Sequence, residues 1–332
     1  MENKHIAWID WAKSIGIFIV VLCHVPQYDT VEKEIFCSFQ MPLFFFLSGY
    51  LYKIPQGTFK DELMRNWKTL IIPYFLFQIL FYPYWLVVQK VNGYEFSFYT
   101  IFVKPITDCL IGIPINGVTW FIIALLIIKL YAFFILRLRR KWLWVILSCL
   151  LVGTARYIMY MGDDSIKISF AIDSAMHFFL FFFLGYYFKA SERMELLVNS
   201  KLRLYYILTL SFIMTFVGAM AQENQSVSLQ EILHYTLGVS GTMTVLSVCI
   251  LFDKVNSSII RTISSGTIVV FGLHWMFIGT INFILKKHWD IIGEIQYSTT
   301  MAICIALFII FLNYFIIIFC KKHFEALLGY RK

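Results

Sequence analysis

Ten apolar runs separated by short charged connectors constrain this chain more than any other feature. They fall at 6–26, 35–52, 69–90, 117–136, 141–160, 168–188, 203–221, 232–252, 262–285 and 298–320. A bilayer has a hydrocarbon core roughly 30 Å thick, which takes about 20 helical residues to cross. Runs of this length and spacing therefore predict an all-α, polytopic membrane helix bundle of about ten transmembrane helices. The chain is 60% hydrophobic and only 14% charged, more apolar surface than a soluble fold can bury. No soluble domain, low-complexity stretch or clear internal repeat interrupts the pattern, so a single domain over 1–332 is expected.

The net charge of +8 would suit a nucleic-acid partner if it formed one patch. It does not. The basic residues sit in short clusters between apolar runs, as cytoplasmic loops do, and no nucleic acid is expected as a partner. With the N-terminus inside, the cytoplasmic connectors carry 20 Lys/Arg and the outer ones 6 (Lys33, Lys90, Lys104, Lys167, Lys286, Lys287). That asymmetry predicts an N-in, C-in topology, with Arg137, Arg139, Arg140 and Lys141 as the firmest inner marker. Lys4 and Lys13 before an apolar segment imitate a signal peptide, but Asp10 and Lys13 interrupt the first run and no small-residue cleavage site follows, so the first helix is expected to be retained. Seven cysteines are scattered without a CxxC pair or zinc-like spacing; they read as buried small hydrophobes, and no metal is expected. The connector from Val91 to Gly117 is the longest outer one, aromatic and carrying Pro105 and Pro114. It predicts a short interfacial helix.

The chemistry concentrates in the first run, Asp10-Trp-Ala-Lys-Ser-Ile-Gly-Ile-Phe-Ile-Val-Val-Leu-Cys-His-Val-Pro26. Lys13 and His24 are eleven residues apart, which returns to within about 20° of one helical face and spans roughly 16 Å. Too few apolar residues separate the polar ends to cross a bilayer alone, so other helices must wrap this one. Ionisable groups inside a membrane helix cost a few kcal/mol each and mark functional positions. His24 can take a proton from a hydroxyl near neutral pH, or it can be a histidine hydrogen-bonded to a neighbouring helix. Asp10 and Lys13 are i, i+3 neighbours that can pair with each other, or Lys13 can face an anionic ligand arriving from the cytoplasm.

Further polar groups fall inside later runs. Met41-Pro-Leu-Phe-Phe-Phe-Leu-Ser-Gly-Tyr50 reads as a packing motif, in which Pro42 frees a backbone carbonyl and Ser48-Gly49 allow close helix approach. Trp120 begins the fourth run at an expected interface position. Arg156 lies in the fifth run, Asp173 and His177 are i, i+4 partners in the sixth, and His274 is a second deep histidine. Taken singly, each is expected to be structural. Together with Gln40 and Ser48 they predict an interior with convergent polar groups.

The order of these motifs resembles the integral-membrane acyltransferase family 3, and within it the fucose 4-O-acetylase-like branch. Lys13-x10-His24 resembles the Arg/Lys-x10-His signature of that family's first helix, and Met41-Pro to Leu51 is similar to its second-helix motif. Trp120-Phe121, Phe183-Leu184-Gly185 and Thr267 to His274 follow in the expected order, so the resemblance covers nearly the whole chain. It implies ten helices and transfer of an acyl group, most often acetyl, from cytoplasmic acyl-CoA to a sugar hydroxyl of a surface polysaccharide or lipid-linked glycan. It also implies an essential role for His24 and a coenzyme-side charge for Lys13, with Asp10 beside it. The implied partners are acetyl-CoA as donor, a glycan or lipid-linked sugar as acceptor, and membrane lipids. Two residues depart from the pattern. Lys13 stands where Arg is common, losing bidentate phosphate recognition, and Gln40 stands where the branch often has His before Met-Pro. The rival from another class is a transporter or flippase for a lipid-linked or polymeric glycan, whose passage the same histidines would line. A third reading is a non-catalytic membrane subunit.

Overall fold

The computed structural model describes residues 6–28, 30–161, 169–221, 227–288 and 293–329. Lys4 and Lys167, used above for topology, lie outside them. Every regular element among the described residues is helical, and each of the ten apolar runs coincides with a helix. Eight of these helices are long and apolar enough to cross a membrane. The other two are Lys141–Met161 and Ile172–Ala190.

The helix ends follow from local chemistry. Helix α1 (Ala7–His24) stops at Val25, whose extended backbone is what a residue before proline prefers. Helix α2 (Val31–Leu51) starts four residues before its apolar run, because Thr30 accepts a hydrogen bond from the Lys33 N–H at 3.3 Å and Glu32 and Glu34 occupy the first turn. Both devices satisfy or complement the free amides of a helix start. The third span also begins earlier than the apolar run. A capping box between Thr58 and Asp61 opens α3 (Phe59–Asn66), and a π-helical turn at Trp67–Ile71 joins it to α4 (Ile72–Val91). Hydropathy finds the part of a helix in lipid and passes over its polar first turn.

The chain divides into two compact units. The first gathers residues 1–52, 184–270 and 277–318. Here α1 packs on α2, on α11 (Val227–Leu251) and on α12 (Ser258–Ser265), while α10 (Lys201–Ala221) packs on α9 (Arg193–Val198) and on α11. The buried core mixes Trp8, Ala12 and Ile19 of α1 with Phe39, Leu43, Phe46 and Leu47 of α2 and Leu246 and Cys249 of α11. Gly185 lets a neighbouring backbone come close, since a Cβ there would collide with the Phe46 carbonyl oxygen. Gly241 does the same for the Phe39 ring. Both place α2 at the centre of this unit.

The second unit gathers residues 53–183, 271–276 and 319–332. It holds α4, α5 (Lys104–Leu110), α6 (Trp120–Ile135), α7 (Lys141–Met161) and the first part of α8 (Ile172–Ala190). The connector after Val91 does carry a short helix, as expected: a π-helical turn at Tyr99–Val103 runs into α5. Arg137, read above as a topology marker, donates from Nη2 to the carbonyls of Pro55 and Gly57, both at 2.6 Å, with its guanidinium 3.8 Å from the Phe133 ring centroid. The cysteine expectation needs correction: Cys109, Cys249 and Cys320 are buried, but Cys149 and Cys304 are exposed. On a membrane-spanning helix the outward face meets lipid, so an apolar cysteine need not be buried in protein.

Candidate active site

In the first unit, α1 is fastened at both ends. At its start the Asp253 carboxylate accepts the Trp8 N–H at 3.1 Å, satisfying an amide that no earlier turn can,. The Trp11 indole donates to the Val255 carbonyl at 3.1 Å, and Ser14 Oγ donates to the Ile260 carbonyl at 3.0 Å. Ser264 Oγ donates to Asp10 Oδ1 at 2.5 Å. Asp10 thus holds α12 against α1 while its charge also acts on Lys13 one turn on. The sequence suggested the i, i+3 relation. It did not show the partners some 250 residues away.

At the other end, Gln27 Nε2 donates to the Leu22 carbonyl at 2.7 Å and the Val25 carbonyl at 3.4 Å, closing the last turn. A short parallel bridge then pairs Gln27 with Tyr297, in which the Tyr297 N–H donates to the Pro26 carbonyl at 2.9 Å. The Tyr297 hydroxyl in turn donates to Asn282 Oδ1 at 2.7 Å. His24 sits inside this clasp, half-buried. Its Nδ1 lies 2.7 Å from the Val20 carbonyl oxygen. A carbonyl only accepts, so Nδ1 carries the proton and a neutral ring keeps its basic lone pair on Nε2. That tautomer is the one a general base needs, and it is set by the helix's own backbone.

Cys23, beside His24 in sequence, is half-buried, as is Cys37 of α2. Gln40 and Ser48 are both half-buried on α2. Gln40 Oε1 is enclosed and has no hydrogen-bond partner among the described residues, as have Thr242 Oγ1 and Ser247 Oγ of α11. Buried acceptors left in this state are costly unless a ligand or water meets them.

The other predicted residues belong to the second unit. Rings link three of them: Trp120 lies 5.8 Å from Phe178, whose ring meets His177 edge-on at 4.6 Å. Phe121, next to Trp120, lies 5.1 Å from Phe271, and Phe271 lies 5.9 Å from His274. His177 is buried and His274 fully so. His274 Nδ1 donates to the Phe271 carbonyl at 2.8 Å, the same local tautomer lock as at His24. Asp173 and Arg156 are half-buried on α8 and α7.

A polar knot that the sequence did not flag positions this cluster. Gln78 of α4 donates to Thr119 Oγ1 at 2.7 Å and accepts the Asn116 N–H at 3.0 Å. Asn116 Nδ2 donates to the Gly272 carbonyl at 2.8 Å, two residues before His274. All three side chains are buried. Gly117 is required here, since a Cβ would press on the Trp275 ring at 2.6 Å. The only sequence signal was polar residues within apolar surroundings, and Gln78 lies some 40 residues from Asn116 and Thr119 in the chain.

Among the described residues, no group of three or more His, Cys, Asp or Glu is placed to hold a metal ion. Compared with known proteins, the chain matches the acyltransferase 3 family model, described as an acyltransferase domain, over residues 6–320. No curated protein and no solved structure matches it. The matched span takes in the α1 signature, the α2 motif and the His274 helix, on a multi-pass array of apolar helices. The chain therefore belongs to the acyltransferase 3 family and is a membrane acyltransferase.

Proposed function

We propose that this protein is an inner-membrane O-acyltransferase that moves an acyl group, specifically acetyl, from cytoplasmic acyl-CoA to a sugar hydroxyl of a surface polysaccharide or lipid-linked glycan. One domain of ten spanning helices with both termini in the cytoplasm would carry the activity. The observation that bears most weight is the His24 tautomer. With Nδ1 donating to Val20, Nε2 accepts the proton of the attacking hydroxyl as the new C–O bond forms at the thioester carbonyl. His24 then returns that proton to the sulfur as the C–S bond breaks, so the products are the ester and the free thiol. Lys13, on the same α1 face, supplies a cation at the cytoplasmic end for the phosphates of the coenzyme, and Asp10 holds the end of α1 against α12. Gln40, with its enclosed amide oxygen, is an acceptor-side contact that receives a hydrogen bond from a sugar hydroxyl. Family membership supports acyl transfer over the transporter reading. The test is release of free thiol from acetyl-CoA by the purified protein with a glycan acceptor. Wild type releases thiol, and His24→Ala lowers the rate by roughly 10²–10⁴-fold. Equal rates in the two would overturn the role given to His24.

A further inference from the structure

The hairpin after α4 carries two adjoining pockets of opposite character. Phe98, Phe102, Ile106 and Leu110 recur at steps of four along the helical stretch that ends in α5, and all are exposed. That stripe is what an interfacial helix presents to lipid. Its other side closes on α4, with the Tyr82 hydroxyl donating to the Ile101 carbonyl at 2.7 Å. Between them, edged by Phe102 and Ile106 of that same exposed stripe, lies an apolar groove of about 310 Å³ lined also by Phe75 and Ile79. Beside it lies a cleft of about 420 Å³ whose mixed lining includes Trp85, Gln89, Tyr94, Glu95, Lys104 and Asp108. Ile101, Pro105 and Ile115 line both, so the two pockets adjoin.

The cleft's chemistry selects its occupant. Trp85 and Tyr94 offer aromatic faces, Glu95 and Asp108 accept hydrogen bonds, and Gln89 and Lys104 donate them. Lys104 Nζ already lies 2.6 Å from Asp108 Oδ2. A sugar ring presents C–H faces to stack and hydroxyls that both donate and accept. A phosphate headgroup would meet two carboxylates against one ammonium, and an ammonium headgroup would offer the Gln89 amide N–H groups no acceptor. The adjoining groove has room for hydrocarbon but little to hydrogen-bond. We propose that this hairpin is a glycolipid-binding site, taking a neutral sugar in the Trp85–Glu95 cleft and the attached chain in the Ile79–Ile106 groove. This deepens the reading above, on which it rests in naming the acceptor as lipid-linked rather than polymeric. In the proposed topology the hairpin lies on the outer side of the membrane.

The experiment uses the full chain in lipid nanodiscs and a panel of decyl β-glycosides (glucoside, galactoside, fucoside, N-acetylglucosaminide) with a diazirine at the chain end. After irradiation, labelled peptides are mapped. At least one glycoside should label Ile79, Phe102 or Ile106. Tyr94→Ala and Glu95→Gln should each cut that labelling by about tenfold. Tyr94 and Glu95 are exposed, so both variants should fold. The site is overturned if diazirine-tagged decanol labels the groove equally and ignores the variants. It is also overturned if decyltrimethylammonium displaces the glycosides, if free sugars displace them completely, or if no member of the panel labels the hairpin. Thiol release from acetyl-CoA is read on the same discs. Labelling without thiol release removes the acyltransfer reading and leaves the site, and thiol release without labelling does the reverse.

Discussion

At the scale of single residues, the account turns on which atoms the backbone has already claimed. His24 and His274 both give Nδ1–H to a carbonyl of their own helix, yet only His24 shares a helix face with a cation eleven residues away. That relation was legible in the sequence, because a lysine and a histidine stand out inside an apolar run. The atoms around Lys13 were not. Val255 and Ile260 serve α1 through main-chain carbonyls, which every residue type offers. If Lys13 meets coenzyme phosphates, a hydrogen bond to a charged group worth about 1.5–3 kcal/mol is at stake. Lys13→Ala should then raise the acetyl-CoA KM roughly 10–100-fold and change kcat much less, and Lys13→Arg should restore KM. An unchanged KM in steady-state assays would remove Lys13 from the donor site.

At the scale of elements, close approach and burial decide more than hydropathy. Gly185 reads in the sequence as one small residue in a phenylalanine-rich helix, and only the packed structure shows the Phe46 carbonyl where its Cβ would be. A backbone oxygen inside α2 cannot swing aside. Gly185→Val should therefore cost about 1–3 kcal/mol or more, seen as a lower midpoint in thermal unfolding of the detergent-solubilised protein. A midpoint equal to wild type would mean that the two backbones do not meet there. The hairpin after α4 makes a second prediction. Burial pushes the Cys109 thiol up, with the neighbouring Asp108 charge adding to it. Cys109 should stay protonated at pH 7.5, so that maleimide labels it slowly and labelling accelerates as the pH rises well past the usual thiol range. Fast labelling at pH 7.5 would show an open hairpin. The short helix in this connector was readable from aromatic content and from Pro105 and Pro114, but the pairing of Tyr82 with Ile101 was not.

At the scale of the whole molecule, each of the ten apolar runs coincides with a helix, eight of them long and apolar enough to cross a membrane, because crossing lipid leaves a backbone few alternatives. Their starts were misjudged at α2 and α3, where polar first turns at Glu32 to Glu34 and at Thr58 to Glu62 extend beyond the apolar run. The proposed orientation follows from where lysines and arginines cluster. In spheroplasts, a cysteine placed at Gly93 should react with an impermeant maleimide added outside, and one placed at Arg140 should react only after the membrane is opened. The reverse pattern would invert the topology. The same organisation sets the test of the central claim: a donor from the cytoplasm, a sugar hydroxyl as acceptor and His24 as the base between them. Membranes holding wild type or His24→Ala at matched expression are incubated with radiolabelled acetyl-CoA and a glycan extract of the native host, and label in the glycan is counted. The account predicts label transferred by wild type and lost in His24→Ala. Equal transfer by the two would contradict it.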